Sequence, residues 1–452
     1  MVFTVRETLL FQFRNNTINY KQEIYAGITT FLSMAYIIAV NPSILANTGM
    51  PIGALVTATC LVSAFSTILM GLYTNTPLAL SCGMGLNAFF AFSVVIGMNI
   101  PWQVALSAVF VEGIIFIFIS LTKIKESIIN LIPMNLKYAI SVGTGLFITF
   151  IGLTNSGIII KDEVTLVGLG QFNNIKVCIT FIGLFLIIFL EYKKIRGNIL
   201  WSIIVATAIT WIYALFYEEA ATASGISLPD GVLRYESIEP IFNKLDFSYM
   251  MGDKMWSFIF VVLVLLFNDL FDTVGTMIGV AREGNMLDKE GNIPNAGKIL
   301  LVDAIATTAG AVLGVSTVTT YVESSTGIAE GGKTGFTSVV TGLLFLVAIL
   351  FAPLFVAVPA SATAPALIYV GFLMFKGIKN IDLSNTVETI PSFLTILLIP
   401  LSYSIGSGLS IGIASYVVIS IIYGLISRKM PKISLLAILL ASIFIIKLFF
   451  YP

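Results

Sequence analysis

The sequence predicts an all-α polytopic membrane protein of fourteen spans, arranged as two inverted halves of seven, and three observations carry that expectation. Hydrophobic residues make up 57% of the chain and charged residues only 11%, with a mean hydropathy of +0.99, whereas a soluble protein is roughly a quarter charged. The apolar residues fall in consecutive segments near the length of about 20 needed to cross a bilayer. Two of these segments are interrupted at corresponding places, one in each half, a pattern found at the transport sites of secondary transporters.

In order, residues 1–23 carry Arg6, Arg14 and Lys21 on a stretch that reads as a short amphipathic surface helix, with no cleavable signal. Spans are expected at 24–45, 52–74, 78–96, 102–122, 134–154, 175–192 and 199–217, then at 255–281, 297–315, 318–331, 335–356, 362–377, 391–405 and 407–427. Residues 433–450 form a further apolar stretch, either crossing the bilayer or lying along it. The intervening segment 218–254 is rich in acids, among them Glu218, Glu219, Asp230, Glu236, Glu239, Asp246 and Asp253. With a cytoplasmic N-terminus, the basic clusters at Lys123 and Lys125, at Lys193, Lys194 and Arg196, at Arg282, Lys289 and Lys298, at Lys376 and Lys379, and at Arg428, Lys429 and Lys432 all fall inside. The acidic segment then falls outside, between halves of seven spans. An odd number of spans per half inverts the second half. The seventh and fourteenth spans agree with this, because the run from Gly197 shares a pattern of small, β-branched and Tyr positions with the run from Ser407.

The third span, TPLALSCGMGLNAFFAF from Thr76, contains Pro77 and a Gly83–Met84–Gly85 break. The tenth, STVTTYVESSTGIAEGG from Ser316, opens with β-branched and hydroxyl residues and continues through Gly327, Gly331 and Gly332. Each reads as a short extended stretch followed by a half-helix. Irregular backbone is tolerated at membrane depth only where it is buried in protein or lines a cavity. The beginnings of the half-helices offer backbone N–H groups to polar or anionic ligand atoms.

Charge and composition narrow the chemistry. The 24 basic and 24 acidic side chains leave no net charge, so neither nucleic-acid binding nor a polybasic membrane switch is indicated. Cys60, Cys82 and Cys178 have no metal or disulfide spacing. No cofactor is expected. The chain has no histidine, so a proton carried across the membrane must ride on a carboxylate.

The intramembrane polar inventory is short: Asn87, Glu112, Asp269, Asp272, Asp303 and Glu323. In FNDLFDTVGTMIGVA, from Phe267, the residues Asp269, Asp272, Thr273 and Thr276 fall at i, i+3, i+4 and i+7, one polar stripe on an apolar cylinder. Gly275 and Gly279 have the spacing that admits a neighbouring backbone. An ionisable group inside a span is costly enough to suggest function. Asp272 and Glu323 are the expected ligand-facing pair, able to accept N–H bonds from a planar heterocycle. Asp303 is expected to hold the eighth and tenth spans in register or to relay a proton. Glu112 reads more simply as a satisfied structural carboxylate, and Asp269 as either a helix-end acid or a member of the site. Phe89, with Phe90 and Phe92, offers a ring for stacking, although in a chain of 34 phenylalanines packing is the commoner role.

These residues resemble a known family. AGITTFLSMAYIIAVNPSIL from Ala26, SCGMGLNAFFAF from Ser81, VFVEGIIF from Val109, SVGTGLFITFIGLTNSGI from Ser141, LFDTVGTMIGVA from Leu270 and YVESSTGIAEGGKTGFTSVVTGLLF from Tyr321 are similar to the azaguanine-type hypoxanthine/guanine/adenine permeases of the nucleobase–cation symporter-2 (nucleobase–ascorbate transporter) family. The likeness covers nearly the whole chain. It implies a core domain at 24–133 and 255–358, a gate domain at 134–217 and 359–432, the extracytoplasmic linker 218–254 between the halves, and a C-terminal segment 433–452. It also implies uptake of purine nucleobases, hypoxanthine and guanine first and then adenine, through the inner or plasma membrane by proton symport and elevator movement, with a homodimer formed through the gate domain. By motif, substrate binding is carried over to Asn87 in GMGLNAF, Asp272 in LFDTVGT, and Glu323 with Ser324 in VESSTG. Proton-coupling or structural roles are left for Asp303, Asp269, Thr276 and Glu112. The alternatives are an anion transporter of the same fold and, further off, an intramembrane aspartyl protease using Asp272 and Asp303. The protease reading leaves the repeat, the broken third span and Asn87 without explanation.

Overall fold

The computed structural model describes residues 19–122, 133–163, 165–224, 226–252, 254–283, 295–402 and 404–427, with single positions between 433 and 445. The first half comprises α1 (Tyr20–Met34), α2 (Ile37–Leu45), α3 (Ile52–Thr74), strand β1 (Leu80–Cys82), the half-helix α4 (Met84–Ala88) running into a π-helical segment Phe89–Gly97, α5 (Trp102–Leu121), α6 (Met134–Asn155), a hairpin of β2 (Ile159–Asp162) and β3 (Leu166–Leu169), α7 (Ile175–Tyr192) and α8 (Asn198–Phe216). After the short helix α9 (Glu218–Ala223), the second half repeats the plan. It contains α10 (Met255–Glu283), α11 (Ala296–Leu313), strand β4 (Val318–Thr320), the half-helix α12 (Ser324–Ala329), α13 (Gly335–Ala348), α14 (Ala352–Val356), α15 (Ala360–Phe375), α16 (Thr386–Leu401) and α17 (Ile405–Ser427). Ten helical segments among the described residues are long and apolar enough to cross a membrane, and Met84–Gly97, Met255–Leu270 and Thr386–Leu401 are shorter apolar helices.

Both expected breaks are present as short strands followed by half-helices. α3 ends on Asn75 in the left-handed region (φ 53°), and Pro77, which has no N–H, follows before the chain extends. α11 ends on Gly314 (φ 92°), a conformation that glycine adopts without strain, and the β-branched run Val318–Thr320 then extends. β1 and β4 pair antiparallel, Leu80 opposite Thr320 and Cys82 opposite Val318. The Gly83 N–H donates to Thr317 at 3.0 Å and the Tyr321 N–H to Ala79 at 2.9 Å, so the two interrupted spans satisfy each other's backbone groups.

The first span departs from the expected continuous helix. It turns at Ala35–Tyr36, where Ile38 donates to Ala35 and Ala39 to Tyr36 in three-residue steps. Pro42, inside α2, removes one donor from that helix. Beyond the spans, 218–252 straps across helix ends, with the Arg234 N–H on the Leu350 carbonyl, Asn243 on Val312 and Asp246 on Gln103.

Two sets of helices pack chiefly within themselves. α3 with α13, α5 with α11 and α10, and α1 with α12 and α13 form one set; α6 with α15 and α16, α7 with α8 and α15, and α16 with α17 form the other. Close approach rests on glycine. A side chain at Gly71 or Gly335 would strike the other's backbone where α3 meets α13, and one at Gly145 would come 2.7 Å from the Gly371 carbonyl where α6 meets α15. What Gly275 and Gly279 pack against lies outside the described contacts. Most of 433–450 also lies outside the described residues, although Ala437, Ala441 and Phe444 are buried and the Phe444 ring meets Phe260 edge-on at 6.0 Å.

Candidate functional site in the crossing of the broken spans

The strand pair puts the polar inventory in one place. β4 lies against α10 and α11, and α12 lies against α10, so the acids of three consecutive spans converge on one crossing. Glu323 occupies the N-cap of α12, three residues beyond β4. The Tyr36 hydroxyl donates to its Oε1 at 2.6 Å, and no side-chain donor reaches its other oxygen among the described residues. Asp272, one turn below the centre of α10, is only partly covered and accepts no hydrogen bond from the described protein atoms. Its charge is close enough to interact with that of Glu323. Asp272 and Glu323 are thus two partly covered acids whose charges interact across the crossing, with acceptor capacity that no side-chain donor among the described residues uses beyond the Tyr36 hydroxyl. That arrangement suits a ligand presenting N–H donors from a flat ring.

The other residues named from sequence fall around this pair. Ser324 is buried and its hydroxyl accepts the Ala79 N–H at 3.0 Å, fixing the start of α12 to the approach of β1. Asn87, in α4, is fully buried; its side-chain oxygen accepts from the Ser316 hydroxyl, while its Nδ2 has no partner among the described residues. Asp303 bridges two spans: Thr273 of α10 donates to its Oδ2 at 2.8 Å and Thr320 of β4 to its Oδ1 at 3.5 Å. Asp269 is fully buried on the deep side of the stripe, so the solvated helix-end reading does not describe its position. Thr276 is buried on the same stripe. Glu112, on α5, accepts from Thr317 at 3.2 Å. Phe89 is 1% exposed, and its ring edge lies where a side chain at Gly406 of α17 would come within 3.1 Å. It thus packs at the boundary between the helix sets and presents no open face.

Sequence reasoning missed the residues that hold these acids. Tyr36 lies in the apolar run SMAYIIAV, far along the chain from Glu323, and only the turn after α1 brings the two together. Thr273, Thr317, Thr319 and Thr320 form a hydroxyl layer between the acids, with Thr273 and Thr319 at 2.8 Å. Thr273 stood on the polar stripe of the eighth span; the signal for the other three was the hydroxyl-rich β-branched run of the tenth span, which reads from sequence as a break and not as a set of donors.

Residues 21–415 match the model described as Permease family (Xan_ur_permease). The chain belongs to that family. It is 37% identical to the adenine permease AdeP of Escherichia coli (strain K12), over 98% of this chain and 95% of AdeP. It is 39% identical to the guanine/hypoxanthine permease PbuO of Bacillus subtilis (strain 168), over 97% of this chain and the whole of PbuO. Among solved structures, its fold is that of the transmembrane domain of a cyanobacterium bicarbonate transporter, BicA, with a TM-score of 0.64 and 15% identity over 86% of this chain and 98% of that domain. The resemblance read from the motifs is therefore one of membership, and this member of the Permease family is a multi-pass transporter and not an enzyme.

Proposed function

We propose that the chain takes up purine nucleobases by proton symport, and that Asp272 and Glu323 are the acceptors for the ring N–H groups. The observation that carries this reading is the pair of partly covered acids, Asp272 and Glu323, whose charges interact at the strand crossing and which accept only the Tyr36 hydroxyl from the described side chains. Hypoxanthine and guanine are the expected first substrates and adenine the next, in keeping with the names of PbuO and AdeP. A hydrogen bond to a charged acceptor contributes about 1.5–3 kcal/mol, so two such bonds discriminate strongly in favour of donors. An anion would meet two like charges there, which disfavours the anion-transporter reading despite the shared fold.

Alternating access is assigned to movement of the set containing α1, α3, α10 and the crossed strands against the set containing α6, α15 and α16. The N-terminus is placed in the cytoplasm by the basic clusters, and dimerisation is assigned to the second set by analogy with the family.

Uptake of radiolabelled hypoxanthine, guanine, adenine and uracil into cells lacking their own purine carriers tests this, with the wild type compared with Asp272→Asn and Glu323→Gln at matched membrane abundance. Purine uptake by the wild type, and its loss in both variants, is expected. Normal purine uptake by both variants would remove these acids from the site.

A further inference from the structure

Below the proposed substrate pair, a second pair of acids is arranged differently. Glu112 of α5 and Asp269 of α10 are both 0% exposed. The two helices pack against each other and bring the two carboxyl groups close enough to interact. Each has one oxygen engaged by a hydroxyl, Glu112 Oε2 by Thr317 at 3.2 Å and Asp269 Oδ1 by Thr273 at a long 3.4 Å. Each also has one fully buried oxygen, Glu112 Oε1 and Asp269 Oδ2, that no donor reaches among the described residues.

Two buried carboxylates cannot face each other bare. An unpaired buried charge is strongly unfavourable, and a second like charge beside it adds repulsion. A protonated carboxyl, by contrast, is a donor, and one proton between the two groups would give both orphan oxygens a role at once. The other charged groups that face the pair from the packed elements are also acids, Asp303 of α11 and Asp272 one turn along α10, with Glu323 of α12 beyond Asp272. Neither Glu112 nor Asp269 has an ion-pair partner among the described residues. A proton is the smallest cation that would answer all of this.

We propose that Glu112 and Asp269 form a proton-binding dyad, separate from the substrate pair, that holds one proton between its two carboxyl groups and is the coupling site of this permease. The proposal rests on the purine-symport reading and locates its proton. Release follows when α5 and α10 part or water enters: the O–H bond breaks, the proton passes to water, and two carboxylates remain until one is protonated again from the other side. The link to substrate is the single stretch 317–323. Thr317 touches Glu112, Thr319 touches Thr273 beside Asp269, Thr320 touches Asp303, and Glu323 faces the ligand. A ligand that draws Glu323 pulls on the strand whose hydroxyl groups hold the dyad. Asn87, tied to Ser316 at the head of the same stretch, anchors its other end.

The experiment uses the full chain purified and placed in liposomes. Infrared difference spectra of the wild type at neutral pH are expected to show a protonated-carboxyl C=O band that shifts in deuterium oxide and is lost in Glu112→Gln. With hypoxanthine, guanine and adenine as probes and an internal pH dye, Glu112→Gln and Asp269→Asn are expected to lose purine-driven proton entry and accumulation against a gradient, while purine counterflow persists. The amide of Glu112→Gln keeps a hydrogen-bond donor, so a merely structural pair would be rescued by it. Wild-type proton entry and accumulation in Glu112→Gln, or no carboxyl band in the wild type, would overturn the dyad. A wild type that moves none of the three purines but shows the band, lost in Glu112→Gln, would instead remove the purine reading and leave the proton site standing.

Discussion

Tyr36 shows what a single residue contributes at this site. Its hydroxyl donates to Glu323 Oε1 at 2.6 Å from the turn between α1 and α2, fixing the carboxyl plane and leaving the other oxygen for a ligand. Tyr36→Phe removes that donor without changing the ring's packing. A hydrogen bond to a charged group contributes about 1.5–3 kcal/mol, so the half-saturating purine concentration is expected to rise by roughly tenfold or more, with protein abundance unchanged. Concentration-dependent uptake in intact cells checks this, and an unaltered affinity would mean that Glu323 is positioned by α12 alone. The acids were legible in the sequence because a carboxylate inside an apolar span stands out energetically wherever it falls. Tyr36 was not, since an aromatic in an apolar run is ordinary and its partner lies on a different span. Thr273 lay on the polar stripe read from sequence, but its contacts with Asp303 and Thr319 depend on the fold.

At the scale of elements, the broken spans were readable from Pro77, the Gly83–Gly85 pair and the hydroxyl run of Ser316–Thr320, because each removes a helical donor or disfavours the helical backbone. Their pairing with each other was not readable, since the register of two three-residue strands depends on where seven spans place them. The bend at Ala35–Tyr36 was likewise hidden, as Pro42 lies several residues downstream of it. Glycine contacts set how closely the elements approach. A methyl group at Gly335 would meet the Gly71 backbone, and one at Gly71 would meet the Gly335 carbonyl, with no flexible side chain to yield. Overpacking of this kind costs about 1–3 kcal/mol, so Gly71→Ala and Gly335→Ala are each expected to lower the temperature of thermal inactivation of the purified protein. Gly377→Ala is the matched control, because its added carbon would meet only Val142 at an ordinary 3.5 Å. Equal stability of all three variants would mean that α3 and α13 separate freely.

Across the whole molecule, the inverted repeat was legible from the odd count of spans per half and from two breaks at matching positions, which meet as the β1–β4 pair in a fold shared with the BicA transmembrane domain. Contacts between the two helix sets were not legible, because they join residues distant in sequence. One of them is ionic. Arg196, in the turn between α7 and α8, pairs with Glu330 at the end of α12. With the two side chains 48% and 28% exposed, such a pair contributes at most about 1 kcal/mol, and its loss in Arg196→Ala should change uptake by less than roughly fivefold. Its value lies in location, since it spans the boundary across which the proposed elevator movement must slide. Cysteines at 196 and 330, in a background with the exposed Cys178 replaced by Ser and the buried Cys60 and Cys82 retained, can be joined by a short bifunctional methanethiosulfonate linker. Purine uptake is expected to stop on linking and return on reduction, while the linked protein still binds purine from whichever side of the membrane the strand crossing faces. Full uptake with the link intact would mean that the two sets do not move past each other at this boundary, and the alternating step would then have to be a smaller motion within the set that contains the crossed strands.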